Sequence, residues 1–439
     1  MRLFESFAAA GVFVIAGQVA CGQGVGVQES PSAKMAGAVM QRWPTGVVTT
    51  ENKPGEWAYE EGVLLDGMAA QWHTTANGDY FRYIKTAVDK YVMEDGSIQM
   101  NKEGGKYPVD AHSLDNIEMG RAVLLLYRVT HEERYAKAAK FLQDQLAAQP
   151  RTPSGAYWHK QIYPNQVWLD GAYMAGPFKA AYAAMFTQPG FTQPGFTQPG
   201  FTQPGYKQPG DFDDIAKELL LMDLHMRDVH TGLLRHGWDD SPANKMPWAD
   251  ARTGLSPEAW ARAMGWYAVA LVDVLDWFPK DHPERRELIS ALNRTMTAAV
   301  HYQDKKTGLW WQVLDKGGKA GNFHEASASC MFVYALAKGA RLGYLAHSDE
   351  VAAKRGWSGI QKAFVGVGPD GLLALNGTVK VGGLGGKPYR SGTYEYYIGE
   401  KTIANDAKGL GAFLMAGAEM EQAAKGKRGQ GKTALMDAW

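Results

Sequence analysis

Residues 158–171 read Trp158-His-Lys-Gln-Ile-Tyr-Pro-Asn-Gln-Val-Trp-Leu-Asp170-Gly, and an apolar segment with helical periodicity follows. This order places the carboxyl group of Asp170 at the start of a helix, close in sequence to Trp168, His159 and Lys160. Burial among aromatic rings, or a second carboxylate, would raise the pKa of this group. The helix N-terminus and a neighbouring lysine would lower it. Asp170 is therefore the first candidate for a proton donor.

The same helical periodicity recurs along the chain, without a comparable set of alternating strands. It covers residues 113–129, 132–147, 167–185, 212–227, 257–277, 283–303, 325–344 and 402–422. Glycine turns recur between the segments, so the repeating unit is a helical hairpin. With the hairpins of residues 35–93 there are roughly six pairs, which predicts an all-α (α/α)6 barrel, a closed toroid of inner and outer helices. An open solenoid is the alternative, but capping repeats and a regular consensus are not evident.

In a closed ring the inner helices run the same way, so their N-termini share one mouth. We expect Asp115, Asp170, Trp260 and Arg262 in the first or second turn of their helices, and the loop carrying His236 beside them. Aromatic rings among hydrogen-bonding side chains suit a sugar ring. A cation near helix N-termini, such as Arg262 or Lys160, suits a carboxylate on that sugar.

Each of these residues also has a structural interpretation. A first-turn aspartate such as Asp115 or Asp170 complements the helix dipole, and Trp260 fits a hydrophobic core. His159 and His236 could be histidines with satisfied hydrogen bonds, and neither has a metal-ligand spacing with a carboxylate or cysteine. We therefore expect no metal and no cofactor. His324-Glu325 resembles a capped helix start.

The composition describes a globular protein: 439 residues, 45% hydrophobic and 11% aromatic, with a net charge of zero. Nucleic-acid binding is not expected, and the basic tail of residues 425–439 fits a solvated segment. Residues 1–24 resemble an export signal too short for a membrane span, which predicts a periplasmic or extracellular protein. Lipidation at Cys21 is a minor alternative, because the preceding residues match a lipidation box poorly.

A low-complexity insert occupies residues 186–210. The pentapeptide Phe-Thr-Gln-Pro-Gly occurs four times and is followed by Tyr206-Lys-Gln-Pro-Gly. Proline and glycine at every fifth position prevent a helix or a continuous strand, so we expect a lengthened surface loop without a catalytic role. The alternative is a flap whose Phe191, Phe196 and Phe201 contact carbohydrate.

Several of these motifs resemble glycoside hydrolase family 105, the unsaturated rhamnogalacturonyl hydrolases, which are related to the unsaturated glucuronyl hydrolases of family 88. The likeness covers about residues 35–422 apart from the insert. The motifs are Trp158-His-Lys-Gln-Ile-Tyr-Pro, Val167-Trp-Leu-Asp-Gly-Ala-Tyr-Met-Ala-Gly-Pro-Phe, His236-Gly-Trp-Asp, Ser256-Pro-Glu-Ala-Trp-Ala-Arg-Ala-Met-Gly-Trp and Glu325-Ala-Ser-Ala-Ser.

The resemblance implies an (α/α)6 catalytic domain, residues 35–424, that acts on oligosaccharides ending in a 4,5-unsaturated uronic acid. Asp170 would protonate C4 of the vinyl ether, and water would add at C5. Asp115 would hold sugar hydroxyls and keep Asp170 protonated by like-charge repulsion. The resemblance further assigns ring stacking, hydroxyl contacts and carboxylate recognition to a substrate-binding set: His159, Lys160, His236, Trp260 and Arg262.

The sequence thus predicts an exported, cofactor-free hydrolase that removes a terminal unsaturated galacturonyl residue from rhamnogalacturonan or pectin oligosaccharides. An unsaturated glucuronyl hydrolase acting on other lyase products, a sugar epimerase on the same ring of helices, and a non-catalytic carbohydrate-binding protein remain alternatives. The oligomeric state and the identity of the leaving sugar stay open.

Overall fold

The structure, a computed structural model, describes residues 29–46, 48, 55–101, 104–186, 210–243 and 245–426. The predicted signal segment, the pentapeptides between residues 187 and 209, and the basic tail from residue 427 lie outside these residues. The predictions about them therefore stay predictions.

Helices dominate the described part of the chain. The α-helices are α1 (Pro31–Arg42), α2 (Tyr59–Thr75), α3 (Gly78–Val88), α4 (Gly120–Thr130), α5 (Glu133–Ala147), α6 (Asp170–Phe186), α7 (Gly210–Met226), α8 (Ala261–Trp277), α9 (Arg285–His301), α10 (Ala326–Arg341), α11 (Asp349–Ala363), α12 (Tyr394–Gly399) and α13 (Ala407–Gly426). Short 3-10 turns occur at Val109–Ala111, Leu114–Asn116 and Leu314–Lys316.

The helices form two concentric rings. The inner ring consists of α2, α4, α6, α8, α10 and α13, in which each helix contacts the next and α13 contacts α2. The outer helices α3, α5, α7, α9 and α11 each pack on the inner helix that precedes them in the chain. α1 packs on α13 and completes the sixth pair. The predicted (α/α)6 barrel is confirmed.

The two rings differ in how their helices are buried. Inner helix α8 has an almost continuous buried surface from Ala261 to Leu275, whereas outer helix α9 buries only one side. Glycines bring the first and last inner helices together: a Cβ at Gly411 would lie 2.0 Å from the carbonyl oxygen of Val63, and one at Gly67 would lie 2.8 Å from that of Gly411. This close approach closes the ring.

In the described ranges, six short strands form antiparallel pairs: β1 (Gln166–Trp168) with β2 (Gly237–Asp239), β3 (Val365–Val367) with β4 (Leu373–Leu375), and β5 (Thr378–Val379) with β6 (Thr402–Ile403). They lie in connections between helices and hold loops in place. The first of these pairs shapes the mouth of the barrel.

Three predicted helix starts are wrong. One is residue 402, which lies in β6, whereas α13 begins at Ala407. The other two concern the mouth. Asp115 lies in a 3-10 turn before α4, and the segment from Ser256 to Trp260 is not helical. In both segments the backbone bonds to a distant part of the chain, because Leu114 N–H donates to the His159 carbonyl (3.1 Å) and Ser256 N–H to the Gly237 carbonyl (2.9 Å). The periodic segments also missed α11.

A buried ionic network joins four inner helices. Arg121 lies 2.8 Å from carboxylate oxygens of both Asp66 and Asp273, and Lys338 lies 2.7 Å from Asp273. Such networks favour a specific helix register when every charge is paired. Within the residues that the structure describes, none of the helices combines the length and apolar character that a membrane crossing requires.

Candidate active site

The mouth of the barrel lies at the N-terminal ends of the inner helices. A hairpin from His159 to Gln166 crosses it, closed by a hydrogen bond from His159 N–H to the Gln166 carbonyl (2.8 Å). Asn165 turns the chain with a φ of 58°, a conformation that asparagine tolerates better than most residues. The β-bridge between Ser113 and Lys160 places the turn containing Asp115 against this hairpin.

Asp115 is held by two cationic or potentially cationic partners. It forms an ion pair with Lys160, and its Oδ1 lies 3.4 Å from His159 Nε2. Burial would lower the pKa of Lys160, but the contact with Asp115 raises it above the usual value. The His159 ring is stacked on Trp168 with 4.5 Å between ring centroids. Burial lowers the pKa of His159 to about 4, so this imidazole is neutral at pH 7.

Asp170 is the first residue of α6 and faces His236. The pairing of β1 with β2, together with the hydrogen bond from Leu169 N–H to the His236 carbonyl (3.1 Å), brings the two residues side by side. Asp170 Oδ2 lies 3.1 Å from His236 Nε2, but the groups are not aligned for a hydrogen bond. Both atoms are buried and have no hydrogen-bond partner among the described residues. The Asp170 side chain as a whole is 13% exposed, while the His236 side chain is fully buried.

The pKa of Asp170 lies below its usual value. Burial raises it, but the charge and close contact of His236 lower it, with smaller contributions from His159 and Arg262. The expectation that Asp115 keeps Asp170 protonated is not met in the free protein, because the pKa of Asp170 is lowered. Asp115 is paired with Lys160, whereas the group closest to Asp170 is the imidazole of His236.

His236 lies in an aromatic enclosure. Its Nδ1 is 2.6 Å from the hydroxyl of Tyr397, and its ring centroid is 4.7 Å from that of Trp260. Trp260 and Tyr397 are stacked with an interplanar angle of 17°. A Cβ at Gly382 would lie 2.4 Å from the Trp260 ring, so the backbone of this loop covers the indole. Direct stacking of a sugar on Trp260, which the resemblance implies, stays a prediction.

Arg262 lies below the mouth and is only 2% exposed. Its guanidinium donates to the Val379 carbonyl, lies 3.9 Å from Glu325 Oε1 and packs 4.9 Å from the Trp260 ring centroid. Glu325 is the N-cap of α10 and accepts a hydrogen bond from Ala328 N–H, which confirms the predicted capped start. In this conformation Arg262 acts on the site through its charge, and its direct contact with a substrate carboxylate stays a prediction.

Several residues of the mouth were not predicted from the sequence. Tyr397 lies on α12, and Tyr59 at the start of α2 is close enough to Asp115 and Arg262 for their charges to act on it. Burial, with smaller contributions from nearby carboxylates, raises the pKa of Tyr59. The glycine-rich run from 382 to 386 was the available signal, because clustered glycines mark a loop that can approach other groups closely.

No group of three or more histidine, cysteine, aspartate or glutamate side chains in the described ranges could hold a metal ion. The carboxyl group of Asp170 can transfer a proton, His236 lies beside it, and Asp115, Lys160 and His159 can bind hydroxyl groups.

Comparison with known families agrees with the geometry. The sequence model of the family described as Glycosyl Hydrolase Family 88 matches residues 31–424 of this chain. A solved structure of a family 105 glycoside hydrolase from C. acetobutylicum is 38% identical, with a TM-score of 0.79. The match covers 90% of this chain and 99% of that protein.

Two curated proteins are also similar. Protein Atu3128 of Agrobacterium fabrum is 42% identical over 196 residues, which are 43% of this chain and 82% of that protein. Unsaturated rhamnogalacturonyl hydrolase YesR of Bacillus subtilis is 26% identical over 65% of this chain and 72% of its own length.

Proposed function

The chain belongs to glycosyl hydrolase family 88 and is a glycoside hydrolase of the type that acts on unsaturated sugars, and we propose that it removes a terminal 4,5-unsaturated galacturonyl residue from rhamnogalacturonan and pectin oligosaccharides. The observation that carries the proposal is the Asp170 carboxyl group at the mouth. Its Oδ2 lies 3.1 Å from His236 Nε2 and has no hydrogen-bond partner in the described structure.

The proposed reaction is hydration of the vinyl ether. Protonated Asp170 transfers its proton to C4, and the C4–C5 double bond becomes a C4–H bond with an oxocarbenium ion at C5. Water then adds to C5, and the Asp170 carboxylate takes up a proton from that water. The resulting hemiketal opens to a C5 ketone beside the C6 carboxylate, and the anomeric carbon releases the remaining sugar. The carboxylate-separation rule for ordinary glycosidases does not apply, because no displacement occurs at the anomeric carbon.

Asp170 must carry a proton when the substrate is bound, although its pKa is low in the free protein. Two changes on binding act in the required direction. The sugar displaces water from the carboxyl group, and the C6 carboxylate of the substrate adds a negative charge nearby; both raise the pKa of an acid.

The remaining groups bind the sugar in this proposal. Asp115 and Lys160 form a partly exposed ion pair, whose outer lone pairs and N–H groups can accept and donate hydrogen bonds to ring hydroxyls. His159 is neutral and holds the orientation of Asp115. Arg262 contributes a buried positive charge near Asp170.

The test is incubation with an unsaturated galacturonyl-rhamnose disaccharide, followed by ultraviolet absorbance of the double bond. We expect absorbance to fall with release of a keto acid. Asp170→Asn should keep the wild-type circular dichroism spectrum and lose at least about a thousandfold in rate, since an amide cannot donate an acidic proton. Asp115→Asn should retain measurable activity with a raised KM.

Each competing function has its own outcome in this assay. Faster loss of absorbance with unsaturated glucuronyl disaccharides would replace the proposed substrate. Binding with unchanged absorbance would indicate a carbohydrate-binding protein, and wild-type turnover by Asp170→Asn would reject the mechanism.

The signal-like residues 1–24 support the further proposal that the enzyme is exported and acts outside the cytoplasm.

A further inference from the structure

The environment of the Tyr397 hydroxyl determines the direction of its hydrogen bond. Tyr397 is fully buried, and burial raises the pKa of its phenol well above 10, so it keeps its proton. A buried O–H group requires an acceptor. Within the described part of the chain, His236 Nδ1 at 2.6 Å is the acceptor within hydrogen-bond distance of this hydroxyl, and no second one is present.

The Tyr397 hydroxyl therefore donates and Nδ1 accepts. An imidazole that accepts at Nδ1 carries its proton on Nε2 when it is neutral. Nε2 is the atom that faces Asp170 Oδ2 at 3.1 Å. The phenol thus selects the tautomer that presents an N–H group to the candidate acid, as outer hydrogen-bond partners of functional histidines commonly do.

This choice also affects where the acid carries its proton. Asp170 Oδ2 is buried 3.1 Å from Nε2, and protons on both atoms would crowd this short contact. The Asp170 side chain is 13% exposed although Oδ2 is buried, which leaves Oδ1 as the carboxyl oxygen toward the opening. Oδ1 is the oxygen that can meet a ligand entering from the mouth.

We propose that Tyr397 is a positioning residue that fixes the Nε2–H tautomer of His236 and thereby directs the acidic proton of Asp170 to Oδ1, the oxygen that faces the substrate. The catalytic consequence rests on the proposed function, whereas the tautomer does not. Tyr397 is 161 positions away from His236 in the chain and lies on a helix of six residues. Its ring also stacks on Trp260.

The first test measures the tautomer directly. In protein labelled with 15N-histidine, two-dimensional NMR distinguishes a protonated Nε2 from a protonated Nδ1, and His236→Asn assigns the signal. At a pH at which the His236 ring is neutral, we expect its proton on Nε2 in the wild-type protein. A wild-type protein with the proton on Nδ1 would overturn the proposal, whatever substrate the enzyme accepts.

The second test uses Tyr397→Phe, which keeps the ring that stacks on Trp260 and removes only the hydroxyl. We expect a mixture of His236 tautomers and a kcat at least about tenfold lower, with KM within about twofold of wild type. Tyr394→Phe is the matched control. It lies on the same helix and loses hydroxyl bonds to the carbonyls of Lys319 and Ala320, and it should behave like wild type.

The possible results separate the two proposals. Unchanged kcat and an unchanged tautomer in a folded Tyr397→Phe protein would reject the positioning role. A wild-type protein that turns over none of the unsaturated disaccharides would reject the proposed function, but the NMR measurement would still decide the tautomer. If Tyr397→Phe fails to fold, the wild-type spectrum alone supports or rejects the assignment of the Nε2–H form.

Discussion

Replacement of Arg262 by methionine tests whether this arginine is part of the scaffold. Arg262 is 2% exposed, and its guanidinium lies against the Val379 carbonyl, 3.4 Å from Ser327 Oγ, 3.9 Å from Glu325 Oε1 and 4.9 Å from the Trp260 ring centroid. Methionine has a similar length and fills similar space without a charge. The change therefore removes the electrostatic contacts and most of the hydrogen bonding while largely preserving volume.

The expected loss of stability follows from what remains. Removing one partner of a buried ion pair costs about 3–5 kcal/mol, because the other charge stays buried without compensation. Glu325 is fully buried but keeps hydrogen bonds from the N–H groups of Ala328 and Val379 and from the Ser327 hydroxyl. These bonds stabilise the carboxylate, so we expect the lower end of the range, about 3 kcal/mol. The double variant Arg262→Met with Glu325→Gln should recover part of that loss, because no buried charge is left alone.

The assay is denaturant-induced unfolding at neutral pH, followed by tryptophan fluorescence and circular dichroism. Arg286→Met is the matched control, because Arg286 is an exposed arginine on outer helix α9 and its loss should change stability little. If Arg262→Met unfolded together with wild type and Arg286→Met, and only KM for the unsaturated disaccharide rose, Arg262 would be a substrate ligand and the structural interpretation would be refuted.

Two further perturbations examine the loop over Trp260 and the charge state of the mouth. Gly382→Ala would place a Cβ 2.4 Å from the Trp260 ring, so it should lower the free energy of unfolding by about 1–3 kcal/mol. The measurement is thermal unfolding, and Gly399→Ala is the control, because a Cβ at Gly399 would meet open space. His159 has a folded-state pKa of about 4 against 6.5 in the unfolded chain, so the unfolded state binds the proton first as pH falls. Acidification from pH 7.5 to 4.5 should therefore lower the free energy of unfolding of the wild-type protein by roughly 2–3 kcal/mol more than that of His159→Gln. If the stabilities of the two proteins changed in parallel with pH, the assignment of a neutral imidazole to His159 would be contradicted.

The fold could be predicted because its main signal is local. Residues 167–185 and 257–277 are apolar around most of the helix circumference, as expected for inner helices, and amphipathic segments alternate with them. Helix starts were less predictable. The Ala261 N–H bonds to the Gln312 carbonyl at 3.0 Å, and such pairing with a distant segment leaves no trace in the periodicity of either one.

The candidate site was predictable where its residues lie in segments with a recognisable pattern. Asp170 lies at a predicted helix start and His236 in the loop expected beside it, and the structure places them in contact. Tyr397 was not predicted, because it lies on the short helix α12, whose six residues show too little periodicity to be recognised. The low pKa of Asp170 could not be predicted from the sequence either, because the direction of its shift depends on whether a histidine or a carboxylate lies closer in space.

In the proposed reaction, the low pKa of Asp170 in the free protein gives the charge of the substrate a catalytic role. Two unit charges about 4 Å apart interact by about 4 kcal/mol at an effective dielectric constant of 20, which corresponds to roughly three pKa units. A uronate carboxylate bound near Asp170 therefore raises the pKa of this acid by more than a neutral sugar could, because a neutral sugar only removes water. Discrimination against neutral sugars then arises partly in the protonation of the acid. It does not need an exposed arginine to hold the carboxylate, which agrees with the burial of Arg262 beneath Trp260.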